Sequence, residues 1–168
     1  RFRYFFTRKV TFLKESHAFA LLPGGFGTMD EAFELLTLIQ TGKAPPAPIV
    51  LLDVPGGTYW STWHDFVQRE VLDRGYVSAH DLCFVRVTDD VDVAVDEIVG
   101  FYSNYQSLRF VGGRLVLRMR RAPRDAELAS INRDFADLCV RGEIEPIPPT
   151  AAEVADDDAL DLERLLVP

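Results

Sequence analysis

The sequence predicts an α/β fold, an open parallel sheet with helices on both faces, and three observations predict it. Short apolar runs recur at Ala18–Leu22, Pro48–Asp53 and Leu82–Val87. Each run is continuous rather than alternating, the pattern of a strand buried on both faces. A segment of helical periodicity follows each, and strand alternating with helix implies parallel pairing through right-handed crossovers.

Residues 1–15 read as a helix ahead of the first strand. From Thr28 to Lys43, Met29, Ala32, Phe33, Leu36 and Ile39 recur at helical spacing and form one apolar stripe. Gly42 and Pro45-Pro46 end that helix. Between the second and third runs, Thr58 to Arg74 carries Trp60, Trp63, Val67 and Val71 on one stripe, with Gly75 as the stop. A third helix is expected from Asp89 to about Tyr105, with Val91, Val95, Ile98 and Tyr102 in register. Three strands make a thin sheet, and open α/β domains usually carry strands before such a leading helix. The chain also opens on Arg1 rather than Met, so N-terminal strands upstream of Arg1 are expected to be missing.

Beyond Tyr105 the pattern changes. Residues 107–111 and 114–120 flank Gly112-Gly113 and read as a β-hairpin. Asp125 to Val140 has the spacing of an amphipathic helix through Leu128, Ile131, Phe135 and Leu138. Glu143–Ile147 reads as a short strand ended by prolines, and Asp156–Leu166 as a last short helix. The 168 residues are 48% hydrophobic, enough for a substantial core. No apolar run is long enough to span a bilayer, so no membrane partner is expected.

Net charge is −8, and the stretch from Thr150 onward holds six acids against Arg164 alone, which reads as a solvated acidic tail. An acidic chain is poorly suited to nucleic acid, whose phosphates call for surplus Lys and Arg. Cys83 and Cys139 stand apart in apolar surroundings and form no CxxC or Cys/His cluster. They read as reduced, buried thiols of a cytoplasmic protein, with no metal.

The informative stretch is Leu22-Pro23-Gly24-Gly25-Phe26-Gly27-Thr28-Met29-Asp30-Glu31, which leaves a strand and enters a helix. Glycines let successive N–H groups converge, and a helix start adds unpaired N–H groups and a positive dipole end. Together these suit a phosphate, held at the carboxyl end of a strand where open sheets bind ligands. The stretch lacks the Lys-Ser/Thr ending of a P-loop and the spacing of a dinucleotide loop. A monophosphate fits better than either.

The string Pro23-Gly-Gly-Phe-Gly-Thr-Met-Asp-Glu31 resembles the PGGxGTxxE signature of the LONELY GUY family, whose members often carry a lysine decarboxylase label. Upstream, Arg8-Lys9 resembles the family's Arg-Lys pair, and the resemblance extends from about Tyr4 to Tyr102. It implies a Rossmann-like fold, a homodimer, no cofactor, and hydrolysis of the N-glycosidic bond of a nucleoside 5′-monophosphate. The substrate would be a cytokinin riboside monophosphate or an AMP-like nucleotide, cleaved to free base and ribose 5-phosphate. Arg8 and Glu31 would be catalytic, while Lys9, Pro23, Gly24, Gly25, Gly27 and Thr28 would bind phosphate and ribose. A carboxylate near the anomeric carbon can stabilise an oxocarbenium-like charge or activate water. Arg8 could hold a substrate oxygen or orient Glu31. The family's glycine-rich loop after its first strand has no counterpart here.

Plainer roles stand beside these. Thr28-x-x-Glu31 is also a capping box, with Thr28 the N-cap. Arg8 could be a surface arginine and the glycines a ligand-free turn. Asp30 and Glu34 read as helix-surface acids favouring the dipole. His17, His64 and His80 are dispersed. Arg114, Arg118, Arg120, Arg121 and Arg124 read as the solvent side of the hairpin, balancing the acidic tail, and Trp60 and Trp63 as core or dimer contacts. The alternative function is a non-catalytic carrier of a phosphorylated nucleotide or pterin-type ligand. The expected organisation is a partial nucleotide-binding domain over 1–105, a hairpin–helix extension over 106–150 and an acidic tail over 151–168. No lysine is placed as a Schiff-base site for decarboxylation.

Overall fold

The computed structural model of the chain describes residues 5–168, the side chains of Phe5, Phe6 and Arg8 excepted. It divides into two units, Arg1–Phe101 and Tyr102–Pro168.

In the first unit the order is α1 (Phe5–Glu15), β1 (Phe19–Leu21), α2 (Phe26–Gln40), β2 (Ile49–Leu52), α3 (Tyr59–Phe66), β3 (Val85–Thr88) and α4 (Val91–Phe101). The strands form one parallel sheet in the order β1-β2-β3, in the Rossmann-like manner expected. Phe19 stands beside Ile49 and Ile49 beside Val85 in the register. Strand side chains alternate between faces. Ile49 and Leu51 of β2 therefore point one way, into a core with Ala32, Leu35 and Ile39 of α2 and Trp60 and Trp63 of α3. Val50 points the other way and is also fully buried, so both faces of β2 are covered. The two indoles pack edge to face with centroids 5.9 Å apart, so both belong to the core.

Several expectations shift. Only β2 is buried along most of its length; β1 and β3 flank it and are half-exposed, because flanking strands have one neighbour each. Leu35 replaces Phe33 on the buried stripe of α2, which leaves Phe33 exposed. On α4 the buried residue is Ala94, and Val91 and Val95 face solvent. The helix expected over Thr58–Arg74 is α-helical only to Phe66 and continues to Leu72 as a π-turn. The third apolar run begins as a 3-10 turn at Ala79–Leu82, and the strand proper starts at Val85. Cys83 is exposed and Cys139 half-buried, contrary to the expectation of two buried thiols.

The second unit holds β4 (Tyr105–Val111), β5 (Arg114–Met119), α5 (Asp125–Asp134), β6 (Glu145–Pro146), α6 (Ala151–Asp156) and β7 (Glu163–Val167). Its sheet is antiparallel in the order β4-β5-β7-β6. The hairpin turn has Gly112 at φ 58° and Gly113 at φ 79°, the paired positive angles of a type I′ turn. The helix expected over Asp125–Val140 stops at Asp134, with a 3-10 turn at Ala136–Leu138.

The greatest departure lies after Thr150. Residues 156–166 are not a helix: the chain turns at Asp157 and Ala159, both at positive φ, and returns as β7 beside β5. Nor is this stretch a solvated acidic tail, since Glu153, Arg164, Leu165 and Leu166 are buried. Arg118 likewise leaves the solvent side expected for it. It is buried and bonds both Glu153 and Asp158.

Candidate functional site

At the carboxyl end of β1 the chain passes through Leu22–Gly25, all exposed, and enters α2 at Phe26. The N-cap is Gly25, with extended backbone and no side-chain cap. This removes the capping-box reading. Thr28 lies inside the first turn, and Glu31 stands about 8 Å along the helix axis from Phe26. Glu31 therefore has no capping duty. The N–H groups of Phe26 and Gly27 belong to the first turn, where an α-helix provides them no carbonyl. The Thr28 N–H bonds Gly25 O at 3.0 Å. A Cβ on Gly24 would meet the Thr28 hydroxyl, which would have to turn aside to admit it.

Glu31 is half-buried. It lines a groove of about 380 Å³ with Phe12, Leu13, Ser16, β1 and Leu35. The glycines are not part of that lining; they sit at the exposed end of α2. Side chains on a helix tilt toward its N-terminus, so Glu31 leans along α2 toward the glycine loop. Arg8 falls within α1, and its side chain lies outside the described residues.

Lys9 is 6% exposed. Its ammonium pairs with Asp30 at 2.5 Å and Glu34 at 2.6 Å. Hydrogen bonds to Asp30 and then Glu34 outweigh burial and raise its pKa, which keeps it charged. Asp30 and Glu34 thus do more than decorate the dipole: they bind α1 to α2. That pairing needs the two helices side by side, which no local pattern reveals.

The neighbouring strand ends supply residues that the sequence reading missed. Asp53, at the end of β2, is 8% exposed. Its carboxylate accepts from Val54 N–H at 2.9 Å and Trp60 N–H at 3.1 Å. Beyond β3, Asp89 accepts from Gly56 N–H at 2.9 Å. Asp90 accepts from Asp92 N–H at 2.7 Å and so caps α4. Tyr59, the first residue of α3, donates its hydroxyl to Gly24 O at 2.5 Å, tying the second strand-end loop to the first. A signal existed: Pro55-Gly56-Gly57-Thr58 repeats the Pro-Gly-Gly string in the same place between strand and helix.

Gly57 is fixed by this packing. A Cβ there would stand 2.2 Å from Asp53 Oδ1 and 2.8 Å from Val54 O. Gly57→Ala is expected to destabilise the chain by roughly 1–3 kcal/mol, the usual cost of overpacking. Urea denaturation of both proteins measures it, and an unchanged midpoint would show that the loop yields freely.

Among the described residues no group of three or more His, Cys, Asp or Glu could hold a metal ion, and no helix is long and apolar enough to cross a membrane.

The comparisons with known proteins match this half of the chain. The family model described as "Possible lysine decarboxylase" matches residues 1–98. Cytokinin riboside 5′-monophosphate phosphoribohydrolase LOG1 of Arabidopsis thaliana is 38% identical over 71 residues, 42% of this chain and 32% of the relative. LOG4 of the same plant is 36% identical over 73 residues, 44% of this chain and 32% of the relative. The probable phosphoribohydrolase LOGL9 of Oryza sativa subsp. japonica is 35% identical over 82 residues, 49% of this chain and 35% of the relative. The chain thus spans about a third of the length of these relatives. With more than half of its residues inside the family model, and with the complete Pro23–Glu31 signature at the exposed start of α2, the chain belongs to the LONELY GUY family, the one described as possible lysine decarboxylase.

Proposed function

We propose that this chain supplies the phosphate-binding and catalytic residues of a nucleoside 5′-monophosphate phosphoribohydrolase. One observation carries the reading: α2 opens to solvent on glycine amides with no side-chain cap, and Glu31 of the same helix lines a groove with Phe12, Ser16 and β1. The names of the relatives agree with it.

In this reading the amides of Gly25, Phe26 and Gly27 hold the phosphate, where the dipole of α2 favours negative charge. Pro23, Gly24 and Thr28 shape that cradle. The ribose lies back along α2 toward Glu31. As the C1′–N bond lengthens, its electron pair leaves with the base and positive charge builds on the ribose. Glu31 stabilises that charge and takes a proton from the attacking water. The water oxygen bonds C1′, and the proton ends on the departing base. Arg8 stands on α1 one turn before Phe12, which lines the Glu31 groove, and holds a substrate oxygen or orients the carboxylate. Lys9 ties Asp30 and Glu34 of α2 to α1 and so steadies the helix that presents the cradle. The assembly is a homodimer. Two free cysteines, one of them exposed, suit a reducing cytoplasm.

The test is incubation of the protein with AMP, N6-substituted AMP and the other nucleoside monophosphates, with free base read by chromatography. Release of base with ribose 5-phosphate supports the reading. Saturable nucleotide binding without cleavage would favour a carrier instead.

A further inference from the structure

We infer that Tyr59 is a positioning residue for the phosphate cradle, acting through the Gly24–Gly25 peptide; this rests on the function proposed above. The Tyr59 hydroxyl donates to Gly24 O at 2.5 Å. A peptide unit is planar and trans, so its C=O and N–H point in opposite directions. Holding Gly24 O toward Tyr59 therefore turns the Gly25 N–H away from α3. Glycines on both sides of this peptide leave it few steric preferences of its own, so an outside restraint is needed to fix its rotation.

Tyr59 is suited to that task because its own position is fixed twice. Its ring packs edge to face on Trp60, with centroids 4.8 Å apart and planes at 89°. Trp60 is fully buried, and its backbone N–H is held by the Asp53 carboxylate at 3.1 Å. The hydroxyl thus projects from the rigid start of α3, and the loop of β1 rests on it. The chain of contact runs from Asp53 through Trp60 and Tyr59 to Gly24. It links the ends of β1 and β2 without touching the Glu31 groove.

Such a residue governs how tightly phosphate is held rather than how fast the bond breaks. In Tyr59→Phe the ring and its packing stay, and the hydroxyl alone goes. Its loss is expected to raise KM for AMP roughly 5- to 10-fold, the worth of one hydrogen bond, with kcat little changed. The Kd of ribose 5-phosphate, measured by calorimetry on the full chain, should rise by the same factor. Adenosine, which has no phosphate, should be processed or bound alike by both proteins.

Equal KM and Kd in the two proteins would overturn the assignment, and so would a fall in kcat with KM unchanged. A matching loss for adenosine and AMP would mark a merely structural role and overturn it too. Should the wild type release no base yet bind ribose 5-phosphate, the hydrolase reading fails while Tyr59 is still judged on Kd. A wild type that binds no ribose 5-phosphate would remove both.

Discussion

Glu31→Gln is expected to lower kcat for base release about 100- to 10,000-fold, the range attributed to one positioned acid–base group. The binding of ribose 5-phosphate should survive. In the proposed function the phosphate is held by backbone amides at the start of α2, whose N-cap is Gly25 and not a side chain. Gly25 is the N-cap and makes no side-chain cap, so the substitution does not fray the helix. Glutamine keeps the size of the side chain at its half-buried position and removes only the charge and the basicity. Chemistry and binding should therefore separate: kcat falls, and the Kd of ribose 5-phosphate stays near that of the wild type. A variant that turns over at the wild-type rate would remove Glu31 from the mechanism. One that loses binding and thermal stability together would return Glu31 to a structural role. Arg8→Ala provides an independent arm and is expected to reduce kcat/KM with little change in stability, because α1 is tied to α2 by Lys9.

How much of this was visible before the fold follows from the range of the forces involved. The parallel sheet and its helices were legible because apolar runs and helical stripes are local and periodic: Ile49–Leu52 and the Trp60–Trp63 pair lie where their spacing put them. The place of the glycine loop was legible for a similar reason, being one unbroken string between a strand and a helix. Glu31 could not be sorted locally, since Thr28-x-x-Glu31 fits a capping box as well as a catalytic site. Only the helix start at Phe26 decides against the cap. What stayed hidden depends on distant partners. Tyr59 meets Gly24 across 35 residues of sequence, and Lys9 meets Asp30 only when α1 lies beside α2. The run Arg164–Val167 was too short to separate strand from helix by period. Its identity comes from pairing with β5, nearly fifty residues away.

A large stability effect is expected at that late strand. Arg118 of β5 and Arg164 of β7 stand directly opposite in the register, and like charges so placed repel. Glu153 lies between them, fully buried, and accepts from Arg118 Nε at 2.9 Å and Arg164 Nε at 3.1 Å. Thr150 N–H adds a third bond at 2.8 Å. Burial by itself raises the Glu153 pKa, but the hydrogen bonds from Thr150, Arg118 and Arg164 outweigh it and bring the value down to about 2. Glu153→Gln would leave two buried guanidiniums facing each other without their anion, and should cost about 3–5 kcal/mol. Because the folded value lies below the ordinary 4.5, the stabilisation is fully present above about pH 4.5 and fades as pH falls toward 2. Urea midpoints at several pH values, followed by a probe of the second unit, should show the wild type losing its advantage over Glu153→Gln across that window. A variant within about 0.5 kcal/mol of wild type at neutral pH, the margin of an ordinary surface substitution, would mean that water or Asp158 serves the two arginines equally well. Asp158 already bonds Arg118 Nη2 at 2.6 Å, but it is 43% exposed and makes no side-chain ion pair with Arg164 among the described residues. The carboxylate between β5 and β7 is therefore what lets two arginines share the interior of one sheet.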